Sequence, residues 1–316
     1  MLLTDYFRSE YDLTWDIALQ CGVKHGVIRL PEQNDFDITQ PSHWETVHKR
    51  FTDFGIKPVI IEPMPNSLHD HIKAGDKLRD ESIEKVIKMF PIMNKLDIKT
   101  ICFNWMAHIG WFRTRADIVE RGDALVTGFD MKDFKPTDAK ITEKELWDNY
   151  EYFLKAVIPE AEKYDIKLAL HPDDPPVKKL GDVSRIMISA ENIKKAIYDI
   201  YPSENLGITM CQANYYIMGE DVDKVICDFA EKIFFIHFRN TMGNINSFRE
   251  TFHDNGALDM AHLIKLYKKL NINVPIRVDH VPTLKNESTD VAGYASLGRH
   301  FAIGYLKGIL DASKEV

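Results

Sequence analysis

Only four of the 316 residues are cysteine, Cys21, Cys102, Cys211 and Cys227, too few and too scattered for the cross-linked scaffold of a small secreted domain. In a reducing compartment each is expected to be a small buried residue or a ligand, with Cys211 the ligand candidate and the other three core residues. No apolar run approaches the ~20 residues of a membrane span, and the opening MLLTDYFRSEYD carries acids where a signal peptide carries cations and then an apolar stretch. A cytoplasmic protein without a membrane partner is expected. Basic runs are missing as well: the net charge is −8 and no Lys/Arg run exceeds a pair, which argues against a nucleic-acid surface. Neither a GxGxxG after a strand-like run nor a P-loop occurs, so nucleotide chemistry has no support.

What the chain does contain is an alternation. Eight short apolar or β-branched runs, at 2–7, 23–30, 57–64, 100–106, 166–172, 205–211, 233–240 and 274–280, are mostly followed by stretches with helical periodicity, the pattern of βα units around a parallel sheet. Helices are expected over 81–95, 189–200, 220–231, 257–270 and 294–312, the last closing a barrel. Two more start with capping-box signatures: Ser42 with Glu45, and Thr142 with Glu145. With no Pro/Gly/Ser-rich linker, one domain over 1–316 folded as a (β/α)8 TIM barrel is the simplest architecture, ahead of an open doubly wound sheet. Residues 107–141, after the fourth strand, form an excursion too long for a plain loop, expected to be a long loop or an inserted subdomain.

In parallel α/β folds chemistry sits at the carboxyl ends of the strands. Four consecutive strands end in polar residues there: His171, Cys211, His237 and the pair Asp279–His280, with successive separations of 40, 26 and 42 residues from His171 to Asp279. A single histidine at a strand end is ordinarily a hydrogen-bonded structural residue. Jointly, two imidazoles, a thiolate and a carboxylate on one rim make a donor set for a divalent transition metal. His280, beside Asp279, is then available for proton transfer near neutrality, and Tyr294 can bring a phenol to the same rim. Arg239 with Asn240, and Asn104 with Arg113, are candidates to hold the carboxylate or hydroxyls of a polar substrate. HPDDPP at 171–176 forms a stiff turn suited to a pocket wall, with Asp173 a further substrate candidate and a helix cap at Asp173 or Asp174 as the plainer alternative.

At these residues the sequence resembles the mannonate dehydratases, enzymes of a xylose-isomerase-like barrel class that convert D-mannonate to 2-keto-3-deoxy-D-gluconate in hexuronate breakdown. LALHPDDPP (168–176), GITMCQAN (207–214), FIHFRNT (235–241), FRETFHDNGALDM (248–260), PIRVDH (275–280) and GYASLGRHFAIGYLKGIL (293–310) carry the resemblance. Weaker similarity runs back through FNWMAHIGWFRT (103–114) and IEPMP (61–65). The resemblance implies that His171, Cys211, His237 and Asp279 bind a divalent ion, usually manganese, with Fe²⁺ or Co²⁺ as alternatives. It also implies that His280 and Tyr294 form the acid/base pair, that the substrate is a small sugar acid, and that the chain forms a homo-oligomer, commonly a dimer. Departures from the family pattern fall at Ala107, Gly110, Gln212–Ala213, Val278, Val281 and near Leu297, around the substrate rather than at the ligands.

The activity expected on this basis is a metal-dependent hydro-lyase reaction in which Tyr294 removes the C2 proton and His280 protonates the departing C3 hydroxyl. A sugar or sugar-acid isomerase or epimerase on the same barrel, and a barrel that binds an acidic sugar without turning it over, are the two alternatives.

Overall fold

A computed structural model describes residues 1–33 and 35–313; of the domain expected over 1–316, residue 34 and residues 314–316 lie outside the described residues. Eight strands, β1 (Leu2–Phe7), β2 (His25–Ile28), β3 (Lys57–Ile61), β4 (Thr100–Phe103), β5 (Lys167–Leu170), β6 (Leu206–Cys211), β7 (Ile233–Phe238) and β8 (Pro275–Val278), form a closed parallel barrel. Closure runs through Leu2 opposite Pro275 and Thr4 opposite Arg277, which excludes the open sheet. The strands are short and mostly apolar, several of them rich in β-branched or aromatic residues, as suits a sheet covered on both faces.

Because side chains alternate along a strand, every second residue faces the barrel interior. Val27, Ile60, Cys102, Ala169 and Phe235 form a small buried cluster there, while the larger core, with Trp15, Trp44 and Trp105 each about 1% exposed or less, fills the layer between strands and helices. Burying that much aromatic surface stabilises the layer by roughly 25 cal/mol for each Å² removed from water.

The outer helices follow the apolar periodicity with two kinds of start. At Glu143–Lys163 the expected capping box forms: the Thr142 side chain accepts from the Glu145 amide while the Glu145 carboxylate accepts from the Thr142 amide. The other box does not. Helix Pro41–Phe54 begins one residue before Ser42, with Gln40 at the cap and Pro41 in the first helical position, where a missing N–H costs nothing. Helix Ser296–Ala312 covers the β1–β8 seam side of the barrel, with Arg299 donating to the Tyr6 carbonyl oxygen at 3.1 Å.

The 107–141 excursion is not irregular. It contains strands Arg115–Val119 and Leu125–Asp130, which pair antiparallel with each other; Leu125–Asp130 pairs in turn with Ser247–Glu250, and that strand with Thr241–Asn244, both from the segment after β7. Two stretches far apart in sequence thus build one four-stranded sheet. The hairpin turn inside it needs Gly243, at φ +121°, where a Cβ would come within 2.3 Å of the Ser247 carbonyl oxygen. The alternative of a helix entry at HPDDPP does not hold, since the chain passes instead into the short strands Lys179–Leu180 and Asp182–Ser184. Of the three cysteines assigned to the core, Cys102 is buried, Cys21 half-buried and Cys227 exposed.

Candidate active site

The inward-facing parity that fills the barrel also sets its rim. One step of two residues beyond the interior layer, Ala169 leads to His171, Thr209 to Cys211, Phe235 to His237 and Arg277 to Asp279, with Cys211 directly opposite His237 in the β6–β7 register. Donor atoms of His171, Cys211 and His237 lie within 4.8 Å of one another. The closest approach is His171 Nε2 to His237 Nδ1, at 3.2 Å, and Asp279 Oδ2 is 3.5 Å from His237 Nδ1. Two ligands of one ion held at roughly 2.0–2.1 Å sit about this far apart.

The electrostatics fit a cation. The His171 Nδ1 atom is 2.6 Å from the Pro172 carbonyl oxygen, which can only accept, so the proton is on Nδ1 and the Nε2 lone pair faces the cluster. Burial opposes ionisation of the Cys211 thiol, but the Arg239 charge and the hydrogen bonds of His171 and His237 outweigh it and pull its pKa down to about 5, favouring the thiolate form that binds metals. Burial and Arg277 work against a proton on His237, yet Glu62 and Asp279 raise its pKa well above the ordinary value, the response of a basic group placed where negative charge awaits a positive partner. The donor set N, N, S and O therefore matches a divalent transition metal.

The chain reverses direction where the two acid/base candidates meet the rim. β8 ends at Val278 and His280 adopts φ +42°, an uncommon conformation for a non-glycine residue, so that Asp279 and His280, which would point to opposite faces of a continuing strand, both line the same cavity. The His280 and Tyr294 rings meet edge to face with centroids 5.5 Å apart. Trp111, from the excursion, packs on His280 at 5.1 Å. The phenol of Tyr294 is held protonated by its enclosure and by the Asp279 charge, both of which raise its pKa.

The cavity has a volume of about 590 Å³ and is lined by Asn104, His171, His237, Asp279, His280 and Tyr294 among others; Cys211 lies beneath them, fully buried. The remaining substrate candidates fare differently. Asp173 does not line the cavity: it is fully buried, and its Oδ2 accepts from the Ile186 and Met187 amides, because consecutive residues of this turn point in opposite directions. Its neighbour Asp174 does reach the cavity wall. Arg113 and Arg239 stand behind that wall. Arg113 pairs with Asp174 at 2.6 Å and Glu250 at 2.6 Å, and Arg239 pairs with the same two acids at 2.8 and 2.6 Å. Burial opposes ionisation of Asp174, and the two arginines overcome it, setting its pKa at about 2. Asn240 is a loop staple: its Nδ2 donates to the His253 and Leu258 carbonyl oxygens.

Sequence reasoning passed over several residues. Glu62 lies on the rim, Lys73 reaches the cavity with its amine 2.9 Å from Asp70 and 3.5 Å from Asn104, and Glu250 contacts His280 from the added sheet. Glu62 and Asn104 obey the same parity as the four metal candidates, as Ile60 plus two and Cys102 plus two. That signal was available; Lys73 and Glu250 carried none.

Compared with known proteins, the chain matches the family model for D-mannonate dehydratase (UxuA) over residues 11–141 and 131–316. It belongs to the mannonate dehydratase family. A mannonate dehydratase of Streptococcus agalactiae serotype Ia is 32% identical over 295 residues, covering 82% of each chain. The crystal structure of a mannonate dehydratase from Streptococcus suis serotype 2 superposes with a TM-score of 0.90 at 26% identity, over 100% of this chain and 94% of that one. A xylose isomerase domain protein from Planctomyces limnophilus, at 13% identity and a TM-score of 0.63 over 100% and 98% of the two chains, shares the fold alone. Membership of the mannonate dehydratase family makes the chain an enzyme of the hydro-lyase class. Among the described residues no helix is long and apolar enough to cross a membrane.

Proposed function

We propose that this enzyme removes water from D-mannonate, or a closely related aldonic acid, to give 2-keto-3-deoxy-D-gluconate or its counterpart, with a divalent ion, manganese in the first instance, held by His171, Cys211, His237 and Asp279. The observation that carries the reading is the 3.2 Å approach of the two imidazole nitrogens beside a buried thiol and a carboxylate. When bound, the cation supplies positive charge beside the substrate carboxylate, lowering the cost of the negative charge that develops as the C2 proton leaves.

The chain's own residues then divide the proton work. Nδ1 of His280 is engaged by Glu250 at 3.1 Å, which leaves Nε2 directed at the cavity to take the C2 proton. Tyr294, held protonated, gives its phenolic proton to the C3 hydroxyl as the C3–O bond breaks, so that water departs and the enol left behind ketonises. This order is the reverse of the one expected from the sequence; the raised pKa of the phenol and the carboxylate behind the imidazole favour it. Each proton transfer of this kind contributes about 10²–10⁴-fold. Asn104, at the cavity wall, is placed to hold substrate hydroxyls. Arg113 and Arg239 act at one remove, fixing Asp174 and Glu250. A soluble cytoplasmic homo-oligomer acting in hexuronate breakdown is the setting this reading implies.

The test is incubation of Mn²⁺-loaded protein with a panel of aldonic acids. Formation of a 2-keto-3-deoxy acid from D-mannonate supports the reading; a product that retains the C3 hydroxyl points to an isomerase or epimerase, and binding without turnover under Mn²⁺, Fe²⁺, Co²⁺ and Mg²⁺ to a non-catalytic barrel.

A further inference from the structure

We propose that Glu62 and Arg277 form a positioning pair that sets the orientation of two of the four metal ligands, His237 and Asp279. The inference rests on the metal site proposed above and adds residues that are not ligands themselves. A ligating imidazole offers one ring nitrogen to the ion, and the partner of the other nitrogen decides which. For His171 that partner is the Pro172 carbonyl oxygen. For His237 it is Glu62: Nε2 lies 2.9 Å from Glu62 Oε1 in an ion-pair contact, while Nδ1 is the nitrogen that faces His171 and Asp279, so an imidazole that gives up one proton to take the ion keeps the other on Nε2 beside the carboxylate and presents Nδ1.

Glu62 is itself held in place. Arg277 Nε is 2.8 Å from Oε2 and Nη2 is 2.9 Å from Oε1, the two-point geometry that fixes a carboxylate in plane as well as in distance. The third nitrogen of the same guanidinium, Nη1, is 2.8 Å from Asp279 Oδ1. That contact occupies one carboxylate oxygen and leaves Oδ2 as the one facing His237. A single arginine thus bridges β8 and the end of β3 and sets the aim of one nitrogen and one oxygen at the proposed site.

Glu62, Cys102 and His237 also have donor atoms within 4.8 Å of one another, yet they do not make a second metal site. Both Glu62 oxygens already answer to Arg277. Within this cluster Glu62 serves His237.

The experiment measures Mn²⁺ affinity by calorimetry on chelator-stripped protein, with folding of each variant checked by circular dichroism. Relative to wild type, Glu62→Ala and Arg277→Met are expected to bind Mn²⁺ about 10–100-fold more weakly. Glu62→Gln, whose amide oxygen can face Nε2–H from the same place, should recover part of the loss. Glu120→Gln, which changes another buried glutamate, paired with Arg249 at 2.7 Å in the added sheet, should bind as wild type does. Unchanged affinity in both Glu62→Ala and Arg277→Met, alongside loss of the ion in Cys211→Ser, overturns the positioning role. So does a loss in Glu62→Ala as complete as in Cys211→Ser, which would make Glu62 a ligand. Nitrogen-15 NMR of the Zn²⁺-loaded wild type provides an arm that no folding defect affects: metallation of His237 through Nδ1 is expected, and metallation through Nε2 refutes the proposal. Wild-type protein that takes up no Mn²⁺, matching Cys211→Ser, brings down the metal site itself and is thereby distinguished from failure of the positioning pair alone.

Discussion

Nδ1 of His280 and Oε1 of Glu250 lie 3.1 Å apart although the residues are thirty positions apart in the chain, one just past the end of a barrel strand and the other in the four-stranded sheet. The imidazole comes from the end of a barrel strand and the carboxylate from the roof built over it. The same Glu250 oxygen is 2.6 Å from both Arg113 and Arg239, so the group behind the proposed base is anchored by two charges. Burial opposes ionisation of Glu250, and Arg239, His280 and Arg113 together hold its pKa well below the usual carboxylate range.

Glu250→Gln is expected to lower kcat by roughly 10-fold or more, a fraction of the 10²–10⁴ assigned to a proton-transfer group, and to leave metal content unchanged. Steady-state kinetics with elemental analysis of the same samples checks this; an unaltered kcat separates Glu250 from the chemistry.

His280→Ala should retain its ion and lose turnover, whereas Tyr294→Phe should lose water elimination but still exchange the C2 hydrogen of the substrate with deuterated solvent. Proton NMR of recovered substrate reads the exchange. Exchange in His280→Ala and none in Tyr294→Phe restores the opposite assignment of base and acid.

Cys211→Ser should retain far less metal than Cys227→Ser, because Cys211 is fully buried beside His171 and His237 while Cys227 is exposed on an outer helix. Chelator treatment of the wild type should abolish activity, and Mn²⁺ should restore it. Equal metal content in the two purified variants counts against the site.

Asp174→Asn should cost about 3–5 kcal/mol of stability at neutral pH, since it leaves two buried arginines short of a partner. Its folded pKa of about 2 lies below the ~3.9 of an unfolded aspartate. The stabilisation is therefore complete above pH ~4 and disappears as pH falls through about 2. Urea unfolding across that range should show the wild type losing part of its advantage over Asp174→Asn as the medium is acidified.

How far the sequence discloses this site depends on the kind of signal each residue leaves. His171, Cys211, His237 and Asp279 interrupt apolar strands at their carboxyl ends, and a barrel forces such positions onto one rim, so they could be named from spacing alone. Glu62 sits at an equivalent place, but the apolar run 57–64 continues past it and masks its position at the end of β3, which stops at Ile61. Asp173 and Asp174 are indistinguishable in HPDDPP; only the direction of the turn tells which one meets the cavity. The capping box at Ser42 failed because Pro41 had already begun the helix. Glu250, Arg113 and Lys73 gain their partners through tertiary placement of segments with no periodic signal, and no local rule reaches them.

The roof sheet has an implication for biosynthesis. Its strands come from 115–130 and 241–250, and Arg113, made early, finds its two acids only at 174 and 250. A nascent chain that has emerged only to residue 240 holds three of the four proposed ligands but neither the roof nor the carboxylate behind His280. A ribosome-stalled or proteolytically shortened product ending at that point therefore completes neither the roof nor, without Asp279, the proposed ligand set.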